Sequence, residues 1–402
     1  MTAYTLFIIG LSIYIVFGKS SLDLLTPFLP QKYTLSCKLN KVFRRTGATT
    51  TDKEEQKTYL PRISKTTTTK TGHTITLTLP DGMKPLDIFT VREELAYSLK
   101  AGEIEIAQNN QKITITTYSK PLPAYVKFTP PNHAKLQAKH MIPIMLGESV
   151  RGTEIVDLTE LPHLLIGGET KGGKSTLLNL IINYLSHNDR VALKVIDFAG
   201  VEMAYLKNYG IPVADHQGAA ISHINSLEYL WQERKKLFMS AGTINIEQYN
   251  RRNTSKQLKY NVLLIDELGI FRERPGSDKE EKKILQAAMA SLCDLGSVGR
   301  KYGIHLILAT QKPSAEIVPG LLKDNIPASI AFPIKTVYGS MSILGHGGAQ
   351  HLPRIRGRCI YQYDGERQLQ VSHIKNPEEH IGYIKKPEKS LIYDVLSDEI
   401  TG

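Results

Sequence analysis

The stretch Gly168-Glu169-Thr170-Lys171-Gly172-Gly173-Lys174-Ser175 constrains the fold more than any other part of the chain. It fits GxxxxGK[ST] without a mismatch, with the apolar run HLLIG before it and TLLNLIINYL after it. A buried strand that turns through glycines into a helix aims backbone N–H groups at a polyphosphate, at the positive end of that helix. Such a turn belongs to a sheet with strand-to-helix crossovers, so the motif already argues for an α/β fold.

Each residue type has a reason. Gly168, Gly172 and Gly173 let the backbone curl around the α- and β-phosphates, with Glu169, Thr170 and Lys171 completing the loop and Thr176 following it into the helix. Lys174 can reach the β/γ-phosphates, and the Ser175 hydroxyl can ligate Mg²⁺. Downstream, Asn261-Val262-Leu263-Leu264-Ile265-Asp266-Glu267 is an apolar strand ending in two adjacent acids. In a P-loop site Asp266 would hold the Mg²⁺ shell, and Glu267 would orient and deprotonate the attacking water. That pairing predicts an ATPase. A third strand, His305 to Thr310, ends in Gln311. The Gln311 amide can touch a γ-phosphate and report its presence, and a capped strand end explains it equally well. Asp197, with Glu202 nearby, sits at a similar strand tip and is a weaker candidate, since carboxylates there are usually solvated.

From about Met141 onward, apolar strands at His163–Ile166, Ala192–Ile196, Asn261–Ile265, His305–Leu308, Ser329–Phe332 and Cys359–Tyr361 alternate with helical stretches such as Leu177–Leu185 and Ser222–Met239. That pattern predicts a parallel sheet covered on both faces. Ahead of it, Ile75–Leu79, Val91–Leu99, Glu103–Ala107 and Lys112–Tyr118 predict a small β-α-β-β unit, closed off by Pro121, Pro123, Pro130 and Pro131. At the N-terminus, residues 1–18 carry no charge, and Ala3–Gly18 reads as a short membrane anchor, against a signal peptide, whose positive n-region and cleavage site are not evident, or an interfacial helix. Lys19, Lys32, Lys38, Lys41, Arg44 and Arg45 follow, which puts the N-terminus outside and the bulk of the chain in the cytoplasm. Lys38, Lys41, Arg44 and Arg45 can rest on anionic headgroups or belong to a solvated linker. The expected domains are the anchor at 1–18, a juxtamembrane basic segment and linker at 19–62, the small subdomain at 63–130, the ATPase domain at 131–375 and a tail at 376–402.

The remaining features are less specific. The 50 Lys and Arg against 39 Asp and Glu favour polyanionic partners without identifying one. Cys37, Cys293 and Cys359 are far apart and form no CxxC pair, which suits buried, idle thiols in a reducing compartment. His346 and His351 in GHGGAQHLP read as part of a Gly-rich loop, and Trp231 as a core residue of its helix.

The order of motifs resembles that of the FtsK/SpoIIIE DNA translocases from roughly Ile75 to Tyr363. Leu161-Pro162-His163-Leu164-Leu165 is similar to the family's PHLL lead-in, Glu233–Ser240 with Asn245-Ile246 and Tyr249-Asn250 to its ERRYKLM…NI…YN stretch, and Gly303–Ser314 to its GIHLxLATQRPS. Gly320–Lys323, Asn325-Ile326-Pro327 and Gly347-Gly348-Ala349 continue it. The resemblance implies a RecA-like P-loop ATPase domain beside a small α+β subdomain. It also implies a ring, a hexamer, that threads double-stranded DNA through its centre using ATP and Mg²⁺. Two arginines of the pattern are missing: Ser329 stands in the family's PTRIAF, and Gly242-Thr243-Ile244-Asn245 replaces GVRN. If the first acts across a subunit boundary, Arg300, Arg354, Arg356 or Arg358 must substitute. A single anchor, a motor and no DNA-reading module look like the TcpA-type coupling proteins of Gram-positive conjugative elements, which would add relaxase and transfer-channel partners. Two other readings stay open: a related motor such as a helicase, and a membrane-bound DNA receptor or scaffold whose ATP binding controls assembly.

Overall fold

The computed structural model describes residues 31–382 apart from 53–55, 70–71, 110–111, 274–275 and 277. The expected anchor at 1–18 and most of the expected tail lie outside these residues. The chain forms two compact units, the first running to Leu122 and taking in Gly365–Arg367, the second comprising the rest from Pro123 onward.

The first unit holds helix α1 (Gln31–Thr46), a short antiparallel pair β1 (Thr50–Asp52) and β2 (Lys57–Tyr59), strands β3 (Arg62–Thr68) and β4 (His73–Thr78), helix α2 (Arg92–Leu99), and strands β5 (Glu103–Asn109) and β6 (Lys112–Tyr118). The last four strands make an antiparallel sheet in the order β3-β4-β6-β5. Alternation in KITITTY buries Ile113 and Ile115 on one face, as the period of a half-buried strand requires. The β-α-β-β pattern read from the sequence is present, and β3 extends it by one strand.

Helix α1 is a correction. Residues 31–46 were expected as linker, but Leu35, Leu39, Val42 and Phe43 fall on one side at helical spacing and are buried in the same core as Ile75, Leu95 and Ile104. The lysines and arginines between them mask this periodicity when the segment is scanned for mean polarity. Leu39→Ala is therefore expected to cost about 2 kcal/mol or more of stability, read from a urea midpoint, where a linker residue would cost nothing.

The second unit is built on one mixed sheet. Its strands are β7 (Val126–Lys127), β8 (Pro143–Ser149), β9 (Gly152–Asp157), β10 (His163–Gly167), β11 (Val191–Ile196), β12 (Val213–Ala214), β13 (Tyr260–Ile265), β14 (Ile304–Thr310), β15 (Ala328–Ala331), β16 (Arg358–Gln362) and β17 (Glu366–His373). The order is β12-β11-β13-β14-β10-β15-β16-β17-β8-β9, with β7 against β17. From β12 to β15 the strands are parallel. β16 then runs antiparallel to β15, and β8 runs antiparallel to both β17 and β9. The sheet is thus mixed where the sequence predicted a parallel one. The six expected strands are all there; β7, β8, β9, β12 and β17 were missed.

The parallel half is buried on both faces. Along β10, β13 and β14, Leu164, Ile166, Val262, Leu264, Ile307 and Ala309 enter one core, while Leu165, Leu263, Ile265, Leu306 and Leu308 enter another. Helix α3 (Lys174–Ser186) covers the first face through Leu177, Leu178 and Ile181. Helix α4 (Gln217–Ser240), with Ile224 and Leu227, and helix α6 (Lys279–Val298), with Leu285 and Leu292, cover the second; α5 (Ile246–Arg252) and α7 (Val337–Leu344) complete the layers. Arg234, buried in α4, donates to the carbonyls of Lys259 (2.6 Å) and Tyr302, and burial pulls its pKa down to about 10. It therefore acts as a structural tie. Half-buried Trp231 packs against the second core.

Candidate nucleotide site

Parallel register is what assembles the site. Gly167 pairs with Thr310, and Ile265 pairs with both Ile196 and Leu308. The residues just past these pairs, Gly168, Asp197, Asp266 and Gln311, therefore emerge along one carboxyl-end edge of the sheet. Ligands of open α/β sheets bind at this edge.

The phosphate loop turns between β10 and α3. Lys171 has φ +70° and Gly173 φ +124°, so the chain passes twice through left-handed space. The turn is packed from behind. A Cβ on Gly168 would lie 2.5 Å from Cβ of buried Phe332, and one on Gly173 would lie 2.8 Å from Cα of Gly357. The Gly357 amide donates to the Gly172 carbonyl at 2.8 Å, and the amides of Gly168, Glu169 and Gly172 donate to the carbonyls of Thr310, Pro333 and Glu169, which fixes the turn. Gly173→Ala combines a forbidden backbone angle with a clash against main chain. It should cost about 1–3 kcal/mol and abolish binding of a fluorescent ATP analogue.

Lys174 is 4% exposed, and its ammonium donates to the Asp266 carbonyl at 2.7 Å and to the Asp266 carboxylate. Burial pushes the Asp266 carboxyl above its ordinary value, Lys174 pulls it back, and Glu202 and Asp197 add to the upward push. The expectation that Asp197 is solvated is corrected: it is fully buried and accepts from the amides of Met203 (2.8 Å) and Gly200 (3.2 Å). A carboxylate in that position orders the loop after β11 and adds negative charge beside Asp266.

Glu267 is held at both oxygens. Oε1 accepts from the Thr310 hydroxyl (2.7 Å) and the Gly269 amide (3.0 Å), and Oε2 accepts from the Gln311 amide (2.7 Å). The Gln311 side-chain oxygen in turn accepts from the Thr170 hydroxyl of the phosphate loop at 3.0 Å. Gln311 thus joins the loop to the segment that grips Glu267. Glu169 reaches the other way, accepting from the Lys335 amide at 2.8 Å. The sequence reading missed Thr310, Phe332 and Gly357. Thr310 alone carried a signal, as the residue before a flagged strand end.

Of the four arginines offered as substitutes for the missing one, only two lie beside the loop. Arg354 and Arg356 are exposed within three residues of Gly357. Arg358 is buried and engaged with Gln370 and the Pro123 carbonyl, and Arg300 acts on His163 at the opposite end of the strands. Ser329 itself is 6% exposed, within β15 between β10 and β16. His346 accepts from the Gly348 amide through Nδ1.

The donor set fits the groups that the motif implies. A glycine turn that leads directly into the N-terminus of a 13-residue helix suits a polyphosphate. The Ser175 hydroxyl and Asp266 carboxylate are oxygen donors of the kind a hard cation such as Mg²⁺ takes.

Residues 132–315 match the sequence model of the FtsK/SpoIIIE family. The DNA translocase FtsK of Staphylococcus epidermidis is 28% identical over 81% of this chain and 43% of its own length. FtsK of Chlorobaculum tepidum is 35% identical over 52% of this chain and 27% of its own length. The chain therefore spans less than half of either relative. The pCW3 conjugation coupling protein TcpA, in its monomer form with ATPγS, shares the fold at a TM-score of 0.61 and 23% identity, over 86% of this chain and 98% of that one. The motif order, the strand-tip site and these matches lead to one conclusion: the chain carries an FtsK/SpoIIIE family domain and is related to the FtsK DNA translocases.

Proposed function

We propose that this chain is an ATP-driven double-stranded DNA translocase, working as a membrane-anchored DNA pump or coupling protein in conjugative transfer. The observation that carries the proposal is the convergence of the phosphate loop, Asp266, Glu267 and Gln311 at one sheet edge, inside a domain of the FtsK/SpoIIIE family. The likeness in fold to a conjugation coupling protein supports the setting.

In this reading the loop from Gly168 to Thr176 binds the phosphates of ATP, with Lys174 leaving Asp266 to meet the β/γ-phosphates. Ser175 and Asp266 hold Mg²⁺, which when bound neutralises phosphate charge. Glu267 takes the proton of the attacking water. Gln311 senses the γ-phosphate and passes its presence to Glu267 through adjacent backbone. Lysines and arginines grip DNA phosphates without reading sequence. The working form is a homo-oligomeric ring of six, in which Arg354 or Arg356 reaches a neighbour's nucleotide. Relaxase and transfer-channel proteins are its partners, and the ATPase domain is cytoplasmic. The anchor of this reading is residues 1–18, outside the described residues; among the described residues no helix is long and apolar enough to cross a membrane.

The test is ATP hydrolysis by the detergent-solubilised chain with and without duplex DNA, together with triplex displacement. Strong stimulation by duplex and displacement of the third strand from an intact duplex are expected. Unwinding of a forked duplex would identify a helicase instead. ATP binding without DNA-stimulated turnover would leave the receptor or scaffold reading.

A further inference from the structure

Helix α1 has two faces of different chemistry. Leu35, Leu39, Val42 and Phe43 are buried in the first unit's core. On the opposite side Tyr33, Cys37, Lys41 and Arg44 follow one another at intervals of four, four and three, forming a single exposed stripe. Lys32, Lys38 and Arg45 flank it. The helix carries five cations and no carboxylate. Among the described residues none of the five has an ion-pair partner.

Beside the N-terminal half of α1 lies a groove of about 490 Å³ against the β2–β3 segment. Lys32, Lys57 and Arg62 line it with Ser36, Asn40 and Tyr33, and no Asp or Glu does so among the described residues. Lys57 also stands over the Tyr59 ring, 5.4 Å from its centroid. Three cations and several hydroxyl or amide groups around one open hollow suit a phosphate monoester or diester.

We infer that α1 and this groove form a docking face for anionic phospholipid headgroups. Duplex DNA has the same charge, but two features favour lipid. Residues 19–30 number twelve and can span at most about 43 Å, so α1 stays within reach of a bilayer that holds residues 3–18. Tyr33, 56% exposed, lies at the end of the stripe nearest that segment, and tyrosine rings settle at headgroup level. Basic side chains lie along the headgroups while their stems cover apolar surface. This inference rests on the membrane reading above and adds a lipid specificity to it.

The experiment uses the full chain and its own cysteines. Cys37 is exposed on the stripe, whereas Cys293 and Cys359 are buried. A fluorophore on Cys37 is read in vesicles of phosphatidylcholine, with or without phosphatidylglycerol, each doped with a headgroup-linked quencher. Quenching is expected to be several-fold greater in the anionic vesicles. Each cation near such a surface strengthens binding roughly fivefold, so the triple variant K41E/R44E/R45E should remove the difference. Helicity by circular dichroism checks that this variant folds. Equal quenching in both vesicle types, or no response to the triple variant, overturns the inference while co-flotation keeps the anchor reading intact. Failure to co-float with either vesicle defeats both. A change at Cys37 on adding duplex DNA, with none on adding anionic lipid, would make the face a nucleic-acid surface and also overturn it.

Discussion

Glu267→Gln is expected to bind ATP as the native protein does and to hydrolyse it about 10²–10⁴-fold more slowly, the usual contribution of a positioned general base. The amide matches the carboxylate in shape but cannot accept a proton from water. Its fit can be worked out from the three bonds to Glu267. The new side chain can accept from the Gln311 amide through oxygen and donate to the Thr310 hydroxyl through nitrogen. The Gly269 amide then loses its acceptor, at a cost of about 1 kcal/mol. The variant should therefore be folded, loaded with nucleotide and stalled. Single-turnover hydrolysis against equilibrium binding of the same nucleotide separates the two effects. Native turnover in this variant would show that Glu267 is not the base.

Lys174→Ala has the second large effect, and it acts on stability as well as on ATP. Nucleotide binding should fall below detection, because the one cation at the phosphate loop's helix start is gone. The Asp266 carboxylate also loses its buried partner, and breaking such a pair by removing one side costs about 3–5 kcal/mol. That cost depends on pH. Burial already holds the Asp266 carboxyl above its ordinary 3.8, and removing Lys174 removes the attraction that opposes the rise. A carboxyl with a raised folded pKa keeps its proton in the folded state at pH values where the unfolded chain has released it. Stability then falls as pH rises from the ordinary carboxylate range through the folded value. Urea midpoints should thus drop more steeply as pH rises above the ordinary carboxylate range in Lys174→Ala than in the native chain. Adding Asp266→Asn should flatten the slope. A flat slope in the single variant would mean that Asp266 is not buried as a charge beside Lys174.

Much of this site is legible in the sequence because its chemistry is local. The turn from Gly168 to Ser175 needs glycines and a following helix in one short stretch, and the acids Asp266 and Glu267 follow directly on an apolar strand. Buried parallel strands also announce themselves as runs without polar interruption, so β10, β11, β13 and β14 could be placed before their neighbours were known. The strands that were missed lack this property. β8 carries Gly147 and Glu148 within its bulged pairing to β9, and it finds its other partner in β17, at Gln370 and Val371. No local pattern encodes a pairing across some two hundred residues. Helix α1 was hidden for another reason: its apolar positions are only a quarter of the segment, and their significance lies in spacing that a linker reading ignores.

The sequence by itself determined the strand–turn–helix that receives phosphate, the adjacent acids and the family pattern, because each depends on residues within a few positions of one another. Tertiary structure alone decided that Thr310 and the Gln311 amide hold Glu267, that Phe332 and Gly357 press the phosphate loop into shape, and that Asp197 is buried rather than solvated. It also decided that Arg358 is already engaged while Arg354 and Arg356, within three residues of Gly357, are exposed. Those contacts follow from strand register, which sums weak preferences along the whole sheet and is recorded at no single residue.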